Sequence, residues 1–164
     1  MVIKEITKRR SIRDFKPDSV DDTMIEEIIK AAQFAPTGIN NRAIEFIVVK
    51  DKVIKEALFK IAGQGFLKDA PVLIAPVING DKSITPVQDI SIASAHMMLQ
   101  ITSLGMGTVW KHLQEIWVPE IKKVLKIPAN FVLINILPVG FPEKELPQHS
   151  DTEFKKDAIH YDMF

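Results

Sequence analysis

Two hydrophobic periods run through this chain, and they mark out its elements. Between Thr23 and Phe34, Met24, Ile25, Ile28, Ile29 and Ala32 recur at the spacing of one helix face. Asp21 or Asp22 stands where an N-cap is wanted, and Pro36 closes the segment. The same spacing returns after Asp51, with Val53, Ile54, Ala57, Leu58 and Ile61 on one side and Gly63-Gln64-Gly65 as the stop. From Thr85 or Pro86 to Ser103 the chain is rich in Ala and Met and apolar on most sides, which predicts a central buried helix with Gly105 as its C′ residue. Pro119 to Lys126 predicts a short helix with proline in its first turn, and Val2 to Arg9 a short amphipathic one. Pro17 fixes its own φ and turns Lys16 away from helix, so Asp14 to Asp18 is a turn.

The strand signals are shorter. Ile44 to Val49 is β-rich, and Phe131 to Val139 reads as a core strand. Pro71 to Ile78 is continuously apolar, but Pro76 inside it predicts an edge strand or a broken one. Thr108 to Trp110 is a further short candidate, and Asn79-Gly80-Asp81 is a turn. The last 24 residues, from Phe141, are polar with scattered anchors at Phe154, Ile159, Tyr161 and Phe164. They are expected to wrap the body or a partner subunit. Two helices precede the first strand, and no glycine-rich phosphate turn follows any strand, which argues against a dinucleotide-binding or P-loop fold.

Composition narrows the chemistry. At 164 residues the chain is expected to be one domain, 1–164. Lys plus Arg and Asp plus Glu each number 21, a zero balance that disfavours nucleic acid or an anionic membrane as partner. With no cysteine, thiolate metal sites and a cysteine nucleophile are excluded, and four scattered histidines leave no metal cage. The charged opening MVIKEITKRRSIR is no signal peptide, and no apolar run reaches the ~18–20 residues of a membrane span, so a cytoplasmic protein is expected.

Three segments hold candidate chemistry. Arg9, Arg10, Ser11 and Arg13 offer guanidinium forks and a hydroxyl suited to a phosphate; if the segment is extended, Arg9, Ser11 and Arg13 share a side. On charge pattern alone a solvated basic patch explains them better. Ala35-Pro36-Thr37-Gly38-Ile39-Asn40-Asn41-Arg42 is a loop of donors and acceptors that suits the edge of a heteroaromatic ring, though an ordinary Asn/Gly turn has the same look. Leu104-Gly105-Met106-Gly107-Thr108-Val109-Trp110 offers close backbone approach and a stacking indole, though on its own a helix cap followed by a core tryptophan explains it better.

Taken in order, these segments resemble the nitroreductase family of flavin enzymes. Arg9-Arg10-Ser11-x-Arg13 followed by Phe15 is similar to the family's R-R-S-x-R opening, and Ala35 through Phe46 to its A-P-S-x-x-N-x-Q-P-x-x-F segment. Asp89 through Trp110 resembles its buried helix closing on L-G-[LM]-G-[ST]-x-W; Pro138-Val139-Gly140-Phe141-Pro142 and His160-Tyr161 are also family-like. The resemblance covers nearly the whole chain. It implies an α+β fold with a central, mostly antiparallel sheet flanked by helices, built as an intertwined homodimer with FMN at the interface. It implies an oxidoreductase passing hydride from NADH or NADPH through the flavin to nitroaromatic, quinone or similar small-molecule acceptors, with no catalytic side chain and no metal. Arg9, Arg10, Ser11 and Arg13 would hold the phosphate and ribityl chain, and Pro36, Thr37, Gly38 and Asn40 would come from the other subunit. Gly107, Trp110, Lys111 and His112 would line the far side of the ring. Two departures stand out: Arg42 replaces the family's Gln, and Lys144 is the nearest substitute for a late Arg that reaches the phosphate. A flavin-storing protein, or the same fold with other flavin chemistry such as dehalogenation or flavin fragmentation, is the alternative.

Overall fold

A computed structural model describes residues 1–164. The chain runs α1 (Lys4–Lys8), α2 (Asp22–Gln33), β1 (Ile44–Val49), α3 (Lys52–Ala62), α4 (Phe66–Asp69), β2 (Val72–Asn79), α5 (Pro86–Ser103), β3 (Gly107–Thr108), β4 (Lys111–His112), α6 (Val118–Leu125), β5 (Phe131–Val132) and β6 (Asn135–Gly140). Every ladder between these strands is antiparallel, in the order β1-β2-β6-β3, with β4 beside β6 and β5 beside β2. Helices cover both faces, so an α+β fold with an antiparallel sheet is what the chain adopts. No helix is long and apolar enough to cross a membrane.

Two apolar layers hold the sheet. On one face Ile25, Ile28 and Ala32 of α2 and Ala93, Met97 and Ile101 of α5 pack on Val72, Ile74, Leu137 and Val139. On the other, Leu58 of α3, Leu67 of α4 and Ile121 of α6 pack on Leu73, Ala75, Val77 and Ile136. The alternation along β2 and β6 supplies both faces at once, which is why these strands read as continuous apolar runs. The helix ends follow local chemistry. The Asp51 carboxylate accepts from the N–H groups of Val53 and Ile54, and Gly63 ends α3 at φ 72°. Asp21 takes the N-cap position of α2, but its side chain makes no capping bond.

Pro76 does not mark an edge. β2 is interior, paired to β1 across its length and to β6 and β5 on its other side. The β6 pairing stops at Ile74 and the β5 pairing starts at Ile78, so the missing N–H of Pro76 falls where that ladder is interrupted. Across the gap, residues 75–77 of β2 face residues 133–136, four against three, which is a β-bulge. The bulge also splits the predicted strand Phe131–Val139 into β5 and β6. The short strand expected at Thr108–Trp110 lies around it instead, as β3 and β4. Residues 141–164 are mostly exposed; His149 N–H donates to the Thr7 carbonyl, 2.8 Å, and Phe154, Tyr161 and Phe164 face outward.

Candidate functional site

The candidate residues gather at the two ends of α5. At its C-terminal end the segment Arg9 to Arg13 leaves α1 extended (Arg9 φ −59°, ψ 123°) and lies beside β3: Ser11 bridges Thr108, and Ile12 N–H donates to the Thr108 carbonyl, 2.9 Å. A Cβ on Gly107 would sit 2.5 Å from Ile12 Cγ1. The glycine therefore seats the arginine-bearing strand, whereas Gly105, at φ 75°, serves the left-handed exit from α5.

Alternation along this strand sorts the side chains. Arg10 and Ile12 line a cavity of about 220 Å³ together with Lys8 and Lys144, while Arg9, Ser11 and Arg13 fall outside it. Arg10 donates through Nη1 to the Pro147 carbonyl, 2.7 Å, so the C-terminal segment already holds it. Lys144 joins Arg10, not the other two guanidiniums. The salt bridges of the chain are Lys4–Glu5, Lys50–Asp22 and His149–Glu153, leaving Arg9 and Arg13 without a carboxylate. The structure thus divides the basic group expected from the sequence into a tied arginine and a free donor set.

At the N-terminal end of α5 the arrangement is reversed: almost every polar group is taken. Asp89, 2% exposed, accepts from Gly38 N–H (2.8 Å), Asn41 Nδ2 (3.1 Å), Ser83 Oγ (2.7 Å) and Thr85 Oγ1 (3.0 Å). Burial alone would raise its pKa, but these four bonds outweigh it and hold the carboxyl below its ordinary value. Asn41 adds bonds to the Gly38 carbonyl and from Ala43 N–H. A Cβ on Gly38 would lie 2.3 Å from Thr85 Oγ1, so only glycine lets the loop approach this closely. The clamp holds Ile39, Asn40 and Arg42 at φ 52°, 54° and 49°, conformations that a β-branched isoleucine in particular adopts only under constraint. Pro36, Thr37, Asn40 and Arg42 line a cavity of about 550 Å³.

The third segment leaves the C-terminal end of α5 and pairs along β6. Trp110 is half-buried against the α2/α5 layer, and His112 is exposed. Lys111 points the other way: it is buried, with Nζ 4.3 Å over the Trp117 ring, and burial lowers its pKa. Its side chain faces the core, so only its backbone is available to a ligand. Sequence reasoning missed Asp89 as the organiser of this site. The one signal was an aspartate in the first turn of an otherwise apolar helix, preceded by Ser83 and Thr85.

The chain is similar to known proteins over nearly its whole length. The nitroreductase family model matches residues 6–68 and 62–141. The chain is 34% identical, over 99% of its length and 87% of the other, to a protein from Methanothermobacter thermautotrophicus named for NADH dehydrogenase and NAD(P)H nitroreductase activity. It is 27% identical, over 96% of its length and 76% of the other, to the FMN reductase [NAD(P)H] of Bacillus subtilis. An FMN-dependent nitroreductase from Clostridium difficile R20291 superposes with a TM-score of 0.93 at 30% identity, covering 99% of this chain and 100% of that one.

Proposed function

The chain belongs to the nitroreductase family, and we propose that it works as an FMN-dependent oxidoreductase, moving hydride from NADH or NADPH to nitroaromatic, quinone or similar acceptors. The division of the site along α5 carries this reading. Free donors stand at one end of an 18-residue helix and the clamped loop at the other, about 27 Å away at 1.5 Å per residue. One mononucleotide does not span that distance. It meets both sets where two chains face each other, so we infer a homodimer with FMN at the interface. Exposed Ile39, Ile84 and Val87 around the first turn of α5 supply apolar surface for such a contact. We assign it to the cytoplasm, where reduced nicotinamide nucleotides are at hand.

The donor chemistry fits the cofactor. Arg9 and Arg13 are donors only and the Ser11 hydroxyl can donate, a set suited to the phosphate dianion. Arg10 and Lys144 lie behind them and contribute field more than contact. Pro36, Thr37, Gly38 and Asn40, with Arg42, present an apolar edge and mixed donors to a ring from the facing chain. Gly107, Trp110, Lys111 and His112 border it with backbone groups. Bound FMN supplies the hydride chemistry itself. The side chains bind and orient. Asp89 takes no part in proton transfer, because its oxygens are occupied by the loop they hold.

The purified protein should be yellow, release FMN on denaturation, and bleach on anaerobic addition of NADH or NADPH. A protein that stays colourless with added FMN overturns the assignment. One that binds FMN but bleaches with neither donor is a flavin store instead.

A further inference from the structure

Arg42 is the one charged residue lining the cavity at the clamped loop, and the structure shows what this charge faces. The cavity of about 550 Å³ at the loop has apolar walls, chiefly Phe34, Pro36 and Ile44, and its remaining lining is neutral except for Arg42. That size suits a small aromatic molecule. No carboxylate lines it, and Arg42 takes part in no salt bridge. The guanidinium is nonetheless not free to wander. Its Nε donates to Asn40 Oδ1, 3.2 Å, and its backbone N–H to Thr37 Oγ1, 3.3 Å. Both Arg42 and Asn40 sit at positive φ in the loop that Asp89 clamps, so the backbone beneath this side chain is fixed. With Nε engaged, the two terminal nitrogens remain as an unused fork beside an apolar wall, the geometry that takes a carboxylate through two parallel bonds.

We propose that Arg42 makes this protein selective for aromatic acceptors that carry a carboxylate, over neutral acceptors of the same shape. The proposal rests on the function inferred above. The ring of such an acceptor lies on Phe34 and Ile44, beside the flavin edge that Pro36 and Thr37 border, while its carboxylate meets the fork. A neutral acceptor displaces water from the guanidinium and returns no counter-charge, so it binds less well.

The test uses the FMN-loaded protein, oxidised and without nicotinamide nucleotide. It is titrated with para-nitrobenzoate and with its neutral near-isostere para-nitrobenzamide, and each Kd is read from the perturbation of the flavin's visible absorbance. The carboxylate should bind about tenfold tighter, in the range of a charged hydrogen bond, and the preference should shrink with added salt. Arg42→Gln should bring the ratio of the two constants to about one, and Arg42→Lys should restore part of it, because a point charge lacks the fork. Equal affinities in the wild type, no binding of para-nitrobenzoate, or a ratio that survives Arg42→Gln would each overturn the proposal. A protein that holds FMN and bleaches with NADH or NADPH but shows no carboxylate preference loses this inference and keeps the functional reading. A protein that takes up no FMN loses both.

Discussion

The loop at residues 37–42 and the strand at residues 9–13 lie at opposite ends of α5 and are built on opposite principles. The loop satisfies its polar groups internally, around one buried carboxylate, and spends backbone strain at Ile39, Asn40 and Arg42 to keep its shape. The strand is held by backbone pairing to β3, by the fit of Ile12 over Gly107 and by the Arg10–Pro147 bond; the side chains of Arg9, Ser11 and Arg13 keep their donors unused. Preorganisation and binding capacity are therefore separate properties here. Damage to the loop should cost stability and binding together. Damage to the strand's side chains should cost binding alone.

The strongest way to break that contrast is at Asp89. Asp89→Ala leaves Gly38 N–H, Asn41, Ser83 and Thr85 without their acceptor in a buried place, and should destabilise the fold by about 3 kcal/mol in urea unfolding while weakening FMN. The dependence on acid has a definite sign. A carboxyl whose folded pKa is lowered stabilises the fold above its unfolded pKa, and that contribution disappears as the pH falls through the folded value. Wild type should therefore lose stability below about pH 4 that Asp89→Ala does not have to lose. Next in size is Gly107→Ala, where the new methyl would press on Ile12. It should cost about 2 kcal/mol of stability by overpacking, and it should loosen FMN as the strand shifts. A full-affinity Gly107→Ala protein would show that the strand tolerates displacement.

Arg9→Ala and Arg13→Ala sharpen the contrast from the other side. Each should weaken FMN roughly tenfold, about 1.5 kcal/mol, with no change in the urea midpoint of the cofactor-free protein. Loss of stability without loss of affinity would place these arginines in a structural role. Arg10→Ala serves as the internal comparison, because its bond goes to Pro147 and its effect on FMN should be smaller.

The same division explains what the sequence alone made legible. Alternation placed Arg9, Ser11 and Arg13 on one side of an extended segment, because strand periodicity is a local property. The caps at Asp51 and Gly63 and the apolar faces of α2 and α3 were readable for the same reason. What joins distant positions was not. The Asp89–Gly38 bond spans 51 residues and the Arg10–Pro147 bond 137. The bulge opposite Pro76 exists only once β2 has two neighbours on one side, so a proline in an apolar run gave the wrong expectation of an edge. α4 is four residues long, too short to show a period. The family resemblance ordered the segments but could not tell which guanidinium was already spoken for.

Lys111 supplies the smallest effect and the opposite sign. It belongs to the candidate segment by position, yet its ammonium lies in the core against Trp117, with no carboxylate paired to it. Burial lowers its pKa from the ordinary 10.5, so at neutral pH the folded state carries a charge that the unfolded chain holds more easily. Between the lowered folded value and 10.5 the unfolded chain binds more protons, and stability from this group rises with pH. Lys111→Met fills the same space without the charge. It gives up the cation–π contact but removes the burial cost, and should raise stability by up to about 1 kcal/mol at pH 7. That gain should shrink as the pH rises towards the ordinary 10.5 and wild type sheds the proton. FMN affinity should not move, since only the Lys111 backbone borders the site. A variant that unfolds more readily at pH 7, or one that binds FMN more weakly, would move this side chain out of the core and into the binding machinery.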